Sequence, residues 1–217
     1  MPASRERTAR VVIERYGTTF ATDAGITLRD KPSPLWRLLV LTSLLAARID
    51  AGIAVRSARE LSRAGWRTPH RMLSSTWQQR VDALGRGGYR RYDERTASQL
   101  AELAEAVHED WRGDLRRLHH AGGDDPARLG GLLQGFKGIG PTGASIFLRE
   151  VQAVWHGLIP YVDAVAAKGA QRLGLPEEAA QLRGLVDDDQ FARLVSGCVR
   201  AARSEAVVED VADAVRH

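Results

Sequence analysis

The chain has 217 residues, of which 44% are hydrophobic and 27% charged, a balance that buries a real core and excludes a disordered polyelectrolyte. A net charge of +4 and a pI near 9.6 favour a polyanionic partner. The single cysteine, Cys198, excludes an internal disulfide framework and any four-cysteine metal or iron–sulfur site.

The N-terminal stretch Met1 to Arg10 is charged and lacks the apolar core of a signal peptide. The most apolar run, Leu35 to Ala47, is broken by Arg37 and closed by Arg48, so it is too short to span a bilayer and reads as a buried helix. The expectation is a soluble cytoplasmic protein without membrane contact, nucleoid-associated if bacterial. Apolar spacing is helical almost throughout, with no period-two strand. Proline falls where helices begin, at Pro34, Pro69, Pro126, Pro141 and Pro176, because a missing N–H costs nothing in the first turn. These signals predict helices over 4–16, 34–48, 56–64, 69–84, 93–109, 126–135, 141–154, 164–173, 177–184, 188–203 and 206–215. Glycine and turn clusters separate them at 85–88, 121–125, 138–140 and 157–160. The expected class is all-α.

Positive charge is carried almost wholly by arginine, with lysine only at Lys31, Lys137 and Lys168. Arginine suits bidentate phosphate contacts, although an Ala- and Arg-rich genome produces the same bias. Arg80, Arg86, Arg90, Arg91 and Arg95 surround a glycine turn, where they meet phosphates or form a solvated face. His108, His119 and His120 lie near Asp110 and Asp114 in a spacing that fits no familiar metal signature.

The most informative stretch is Phe136-Lys137-Gly138-Ile139-Gly140-Pro141-Thr142-Gly143-Ala144. Leu129, Leu132, Leu133 and Phe136 mark one helix face that stops at glycine, and Ile139 is placed to plug the gap between two helices. Glycine tolerates positive φ and close approach of a phosphate. Pro141 opens a helix whose unpaired N–H groups and positive dipole end attract an anion. Beyond that helix comes Trp155-His156-Gly157-Leu158-Ile159-Pro160-Tyr161-Val162-Asp163, and a further helix that ends Arg172-Leu173-Gly174-Leu175. By position alone Asp163 is a helix N-cap.

Hydrophobic-x-Gly-hydrophobic-Gly-x-x-x-Ala, then a Gly/Pro loop and Val-Asp opening a helix, resembles the endonuclease III-like superfamily of helix-hairpin-helix Gly-Pro-Asp DNA glycosylases. The motif-bearing likeness spans residues 130–175, and a weaker likeness in helix order runs from 34 to 130, including Gly87-Gly88-Tyr89. The resemblance implies two helical lobes with a DNA-binding cleft between them. One is a lobe of about six helices over 34–150 carrying the hairpin; the other joins 1–33 to 151–217 and carries the aspartate. It implies that Asp163 is catalytic, that Lys137, Gly138, Ile139, Gly140 and Thr142 form the phosphate-binding hairpin, and that a monovalent cation is bound there. Thr142 occupies the slot that holds a nucleophilic lysine in strand-cleaving members, so the resemblance implies a monofunctional hydrolase of base excision repair acting on a damaged or mispaired base in double-stranded DNA, as a monomer. The cluster cysteines of many relatives are absent, so no iron–sulfur cluster is expected. Leu45 is the expected apolar wedge, and Tyr89, Trp155 and Tyr161 are the candidate pocket aromatics. Two alternatives stay open: a DNA-binding protein without chemistry, and a bifunctional glycosylase/abasic-site lyase using Lys137 or Lys168.

Overall fold

A computed structural model describes residues 2–216. In chain order the helices are α1 (Pro2–Tyr16), α2 (Phe20–Asp23), α3 (Pro32–Leu45), α4 (Ala51–Arg63), α5 (Pro69–Leu73), α6 (Trp77–Arg86), α7 (Asp93–Trp111), α8 (Leu115–Gly122), α9 (Pro126–Gln134), α10 (Pro141–Val151), α11 (Ala164–Arg172), α12 (Ala179–Arg183), α13 (Asp188–Arg203) and α14 (Glu205–Arg216), with a single 3₁₀ turn at His156–Leu158. The described residues contain no strand, and the fold is all-α. None of these helices is long and apolar enough to cross a membrane.

Helix α2 has no counterpart among the expected elements, and three further departures have local causes. The helix expected over 69–84 is two helices, because Thr76 starts a new one. Its hydroxyl accepts from the Gln79 amide at 3.2 Å, while the Gln79 side chain accepts from the Thr76 amide at 2.8 Å, and this reciprocal box ends one helix and begins the next. Helix α4 begins five residues before its expected start at 56, since the Asp50 carboxylate caps it by accepting from the Ile53 amide at 3.2 Å. Helix α8 was not expected. It buries only Leu115, Leu118 and Gly122, too sparse a stripe to show in the pattern, and it is opened by Asp114 accepting from the Arg116 amide at 3.0 Å.

The chain divides into two compact units, residues 21–154 and residues 1–20 with 155–217. We call them the hairpin unit and the aspartate unit. The hairpin unit is built around α3, which is apolar over most of its circumference: Leu35, Trp36, Leu38, Leu39, Leu41 and Leu44 are all fully buried. A helix buried over most of its surface must be wrapped by others, and α4, α8 and α10 pack on α3. Glu150, at the end of α10, is 2% exposed and accepts from the Ala21 amide at 2.9 Å.

The aspartate unit centres on α13, which packs against α1, α11 and α14 and buries Phe191, Leu194, Val195, Cys198 and Val199. Burial pushes the Cys198 thiol up to about 12, so it stays protonated and chemically inert. Contact with α11 is so close that a Cβ on Gly169 would run into the carbonyl of Cys198. Arg172, at the end of α11, donates to the Ala201 carbonyl at 2.6 Å and pairs with Glu205, which ties the two helix ends together.

Candidate functional site

In the hairpin unit, α9 and α10 are joined by 135–140. Gly138 holds φ at +90°, a region that favours glycine, and this reversal lets the chain turn back within a few residues. Phe136 and Ile139, each 3% exposed, face inward. Ile139 lies against the face of Gly143 in the first turn of α10, where a Cβ would stand 3.3 Å from Ile139 Cγ2 and 3.6 Å from Ala46 Cβ. Small residues at 143 and 46 thus make room for the plug.

With the apolar residues turned in, the backbone of the turn faces out. Gly138, Gly140, Pro141 and Thr142 are exposed, and nothing lies within 4 Å of where a Cβ on Gly140 would stand. Gly140 is the N-cap of α10 and supplies no side-chain acceptor. The amides of Thr142 and Gly143 at the helix start are therefore left to an outside acceptor, and the positive end of the helix dipole adds to their pull on an anion. Lys137, on the same turn, pairs with Glu102 at 2.6 Å, with side chains 72% and 39% exposed. That exposed pair contributes little stability.

Two expected outcomes follow. Gly138→Ala forces an L-residue into left-handed geometry and lowers stability by about 1–2 kcal/mol, which chemical denaturation reads. Lys137→Ala leaves stability nearly unchanged. For a polyanion held at this turn, it flattens the plot of log Kd against log salt by about one unit if Lys137 meets a phosphate, and an unchanged slope removes Lys137 from the contact.

The arginines near the glycine turn divide. Arg80 is 6% exposed and spends its guanidinium inside the unit, donating to the carbonyls of Ala97 and Ser75 at 2.8 Å each, so it is a buried clamp and not a phosphate contact. Arg86 reaches Glu60 at 3.3 Å. Arg90, Arg91 and Arg95 are exposed, and Arg91 stacks over the Tyr92 ring at 5.3 Å.

The aspartate unit holds Asp163 at the start of α11. Its backbone is extended, with φ −83° and ψ 167°, and Oδ1 accepts from the Ala166 amide at 2.8 Å. The carboxylate is half-buried and fixed in direction by that bond, while Ala164 and Val165 beside it are exposed. Tyr161, on the same loop, is half-buried. Lys168 is exposed on α11.

Two of the candidates are buried. Leu45 is 9% exposed and belongs to the core face of α3, so it is not free to enter a base stack as a wedge; the exposed side chain that follows α3 is Arg48. Trp155 is 2% exposed, buried instead of lining an open pocket. Tyr89 is 3% exposed, yet its hydroxyl accepts from Thr96 Oγ1 at 3.3 Å. Among the described residues, no three or more His, Cys, Asp or Glu side chains gather into a metal-binding group. His119 Nε2 instead lies 2.9 Å from Asp124.

No family model matches the sequence, and no curated protein matches it. Among solved structures, the chain is similar to endonuclease III trapped as a covalent intermediate with DNA in an estranged-adenine complex. The TM-score is 0.47 at 16% identity, over 79% of this chain and 74% of that one.

Proposed function

We propose that the chain is a DNA glycosylase of base excision repair, which grips double-stranded DNA through the hairpin and hydrolyses the N-glycosidic bond of a damaged or mispaired base with Asp163. The observation that carries the reading is the pairing, in this order along the chain, of an outward-facing hairpin with uncapped α10 amides and a half-buried carboxylate held at the start of α11. The hairpin supplies a phosphate grip that reads no sequence. A monovalent cation on the backbone oxygens of the open Gly140 turn would strengthen that grip by adding positive charge beside the phosphate.

Breaking the C1′–N bond builds positive charge on the sugar, as in glycoside hydrolysis. A fixed carboxylate about 4 Å away stabilises that charge by roughly 4 kcal/mol at an effective dielectric of 20. The same group can orient or deprotonate the attacking water. The base must first leave the stack, at a cost of a few kcal/mol that is smallest for a mispaired or damaged base. The working form is a monomer.

Thr142 stands exposed in the first turn of α10, and a threonine forms no Schiff base, so the enzyme removes the base without cutting the strand. Borohydride treatment of the protein on abasic DNA is expected to give no covalent adduct. A trapped species lost in Lys137→Ala or Lys168→Ala would instead establish a lyase. A non-catalytic DNA-binding protein is favoured by one observation, the use of an Asp163 oxygen as a helix cap. It predicts salt-sensitive DNA affinity with no base released from any lesion, and a panel of lesion-containing duplexes separates the two readings.

A further inference from the structure

Beside the hairpin, wholly within the hairpin unit, lies a cavity of about 350 Å³. Its walls come from four separate stretches of chain: the end of α3 and the residues after it, the turn at 89–92, the first half of α7, and Lys137-Gly138 of the hairpin. The chemistry is divided within it. Arg48, Arg95 and Lys137 bring three exposed cations to the walls. Tyr92 contributes a half-buried ring, one face of which is covered by the Arg91 guanidinium. Deeper in stand the hydroxyl of Tyr89, the hydroxyl of Thr96 and the amide of Gln99, which lies 3.5 Å from where a Cβ on Gly138 would stand. Burial raises the pKa of Tyr89, so its hydroxyl keeps the proton and remains a donor at neutral pH.

An aromatic ring, a neutral set of donors and acceptors, and a cationic rim are the three things a nucleotide needs: a stacking partner for the base, groups for its edge, and charge for its phosphate. The volume is at the low end for small-molecule sites, which run from roughly 300 to 1,000 Å³, so it admits one nucleoside and no more. An apolar or acidic ligand would leave either the amide and hydroxyls or the arginines unmatched. Duplex bases are already stacked and paired, so the occupant comes from single-stranded or opened DNA.

We infer that this cavity binds one unstacked nucleotide, its base against Tyr92 and Gln99 and its phosphate on Arg48, Arg95 and Lys137. The inference rests on the DNA-binding half of the proposed function and is independent of Asp163, which belongs to the other unit. A phosphate seated at Lys137 would displace Glu102, its present partner.

The test compares a thymidine pentanucleotide with a pentamer of the same phosphates on abasic tetrahydrofuran units, titrated against the full-length protein by fluorescence anisotropy. The base-bearing strand is expected to bind about tenfold more tightly, the range of one base–aromatic stack. Tyr92→Ala and Gln99→Ala should reduce that preference while leaving the abasic strand's affinity in place, and Tyr92→Phe should keep it. Tyr92 makes no side-chain cap bond to α7, so its replacement leaves the helix start intact. Arg48→Ala and Arg95→Ala should weaken both strands and lower the salt dependence. Equal affinity for the two strands, or a preference that survives Tyr92→Ala and Gln99→Ala together, overturns the inference. Failure to bind either strand overturns the inference alone, since the proposed function is read on duplex DNA. Asp163→Asn should leave the preference unchanged. A preference without base release from any lesion sinks only the glycosylase, and base release without a preference sinks only the cavity.

Discussion

Replacing Asp163 by Asn is expected to lower single-turnover base excision by at least about 10²-fold while DNA affinity stays within about threefold. The substitution keeps the geometry almost whole. The remaining side-chain oxygen can still accept from the Ala166 amide, now at 2.8 Å, and Asn caps a helix about as well as Asp. What is lost is the negative charge, whose favourable interaction with the start of α11 is about 0.3–1 kcal/mol and whose interaction with a developing sugar cation is several times larger. Stability and catalysis should therefore separate in this variant. Asp163→Ala removes the cap as well, at a further cost of about 1 kcal/mol, and comparing the two by denaturation and by excision assigns the catalytic loss to charge. Excision by Asp163→Asn at the native rate would sink the mechanism.

Gly169→Ala is expected to destabilise the protein by more than about 3 kcal/mol, or to prevent the aspartate unit from folding. Helix propensity argues the other way, since Ala is better than Gly by about 1 kcal/mol in a helix interior. The tertiary term wins because the added methyl meets the Cys198 carbonyl across the α11–α13 contact. Backbone in a helix cannot step aside as a side chain does, and overpacking costs 1–3 kcal/mol even where relaxation is possible, occasionally more. A fall in Tm of roughly 6–12 °C would correspond to ~3 kcal/mol in a chain of this size. Gly131, exposed on α9 with nothing within 4 Å, is the control: Gly131→Ala should stabilise by up to about 1 kcal/mol. A Gly169→Ala protein as stable as the native one would mean that the two helices do not approach as described.

The hairpin was legible in the sequence because its structure is local. Gly138 takes the positive φ that its residue type permits, Pro141 opens α10, and the burial of Ile139 follows from its place between two glycines. The helical class was legible for the same reason, since apolar spacing and prolines at helix starts act within a few residues of themselves. Asp163 as a helix cap was equally local; its chemistry was suggested only by resemblance, and no local feature distinguishes a capping aspartate from a catalytic one.

What depended on partners distant in sequence stayed hidden. The run Leu44-Leu45 is apolar whether it faces core or solvent, and only the packing of α4, α8 and α10 around α3 assigns Leu45 to the core and leaves Arg48 outside. Arg80 carries the same charge as its neighbours, yet the carbonyls of Ser75 and Ala97 claim it. Gly169 carries no side chain to signal its surroundings, and only the packing of α11 on α13 sets the carbonyl of Cys198 against it. The cavity beside the hairpin is assembled from stretches up to ninety-five residues apart, Ser43 to Gly138, so no window of sequence contains it. By itself, then, the sequence determined the helical class and most of the helices, the shape of the hairpin and the cap at Asp163, because these are set by backbone conformation and near neighbours. Burial, the division of the arginines between structure and surface, and the cavity were decided by tertiary structure, because each depends on which distant side chains exclude water from the same place.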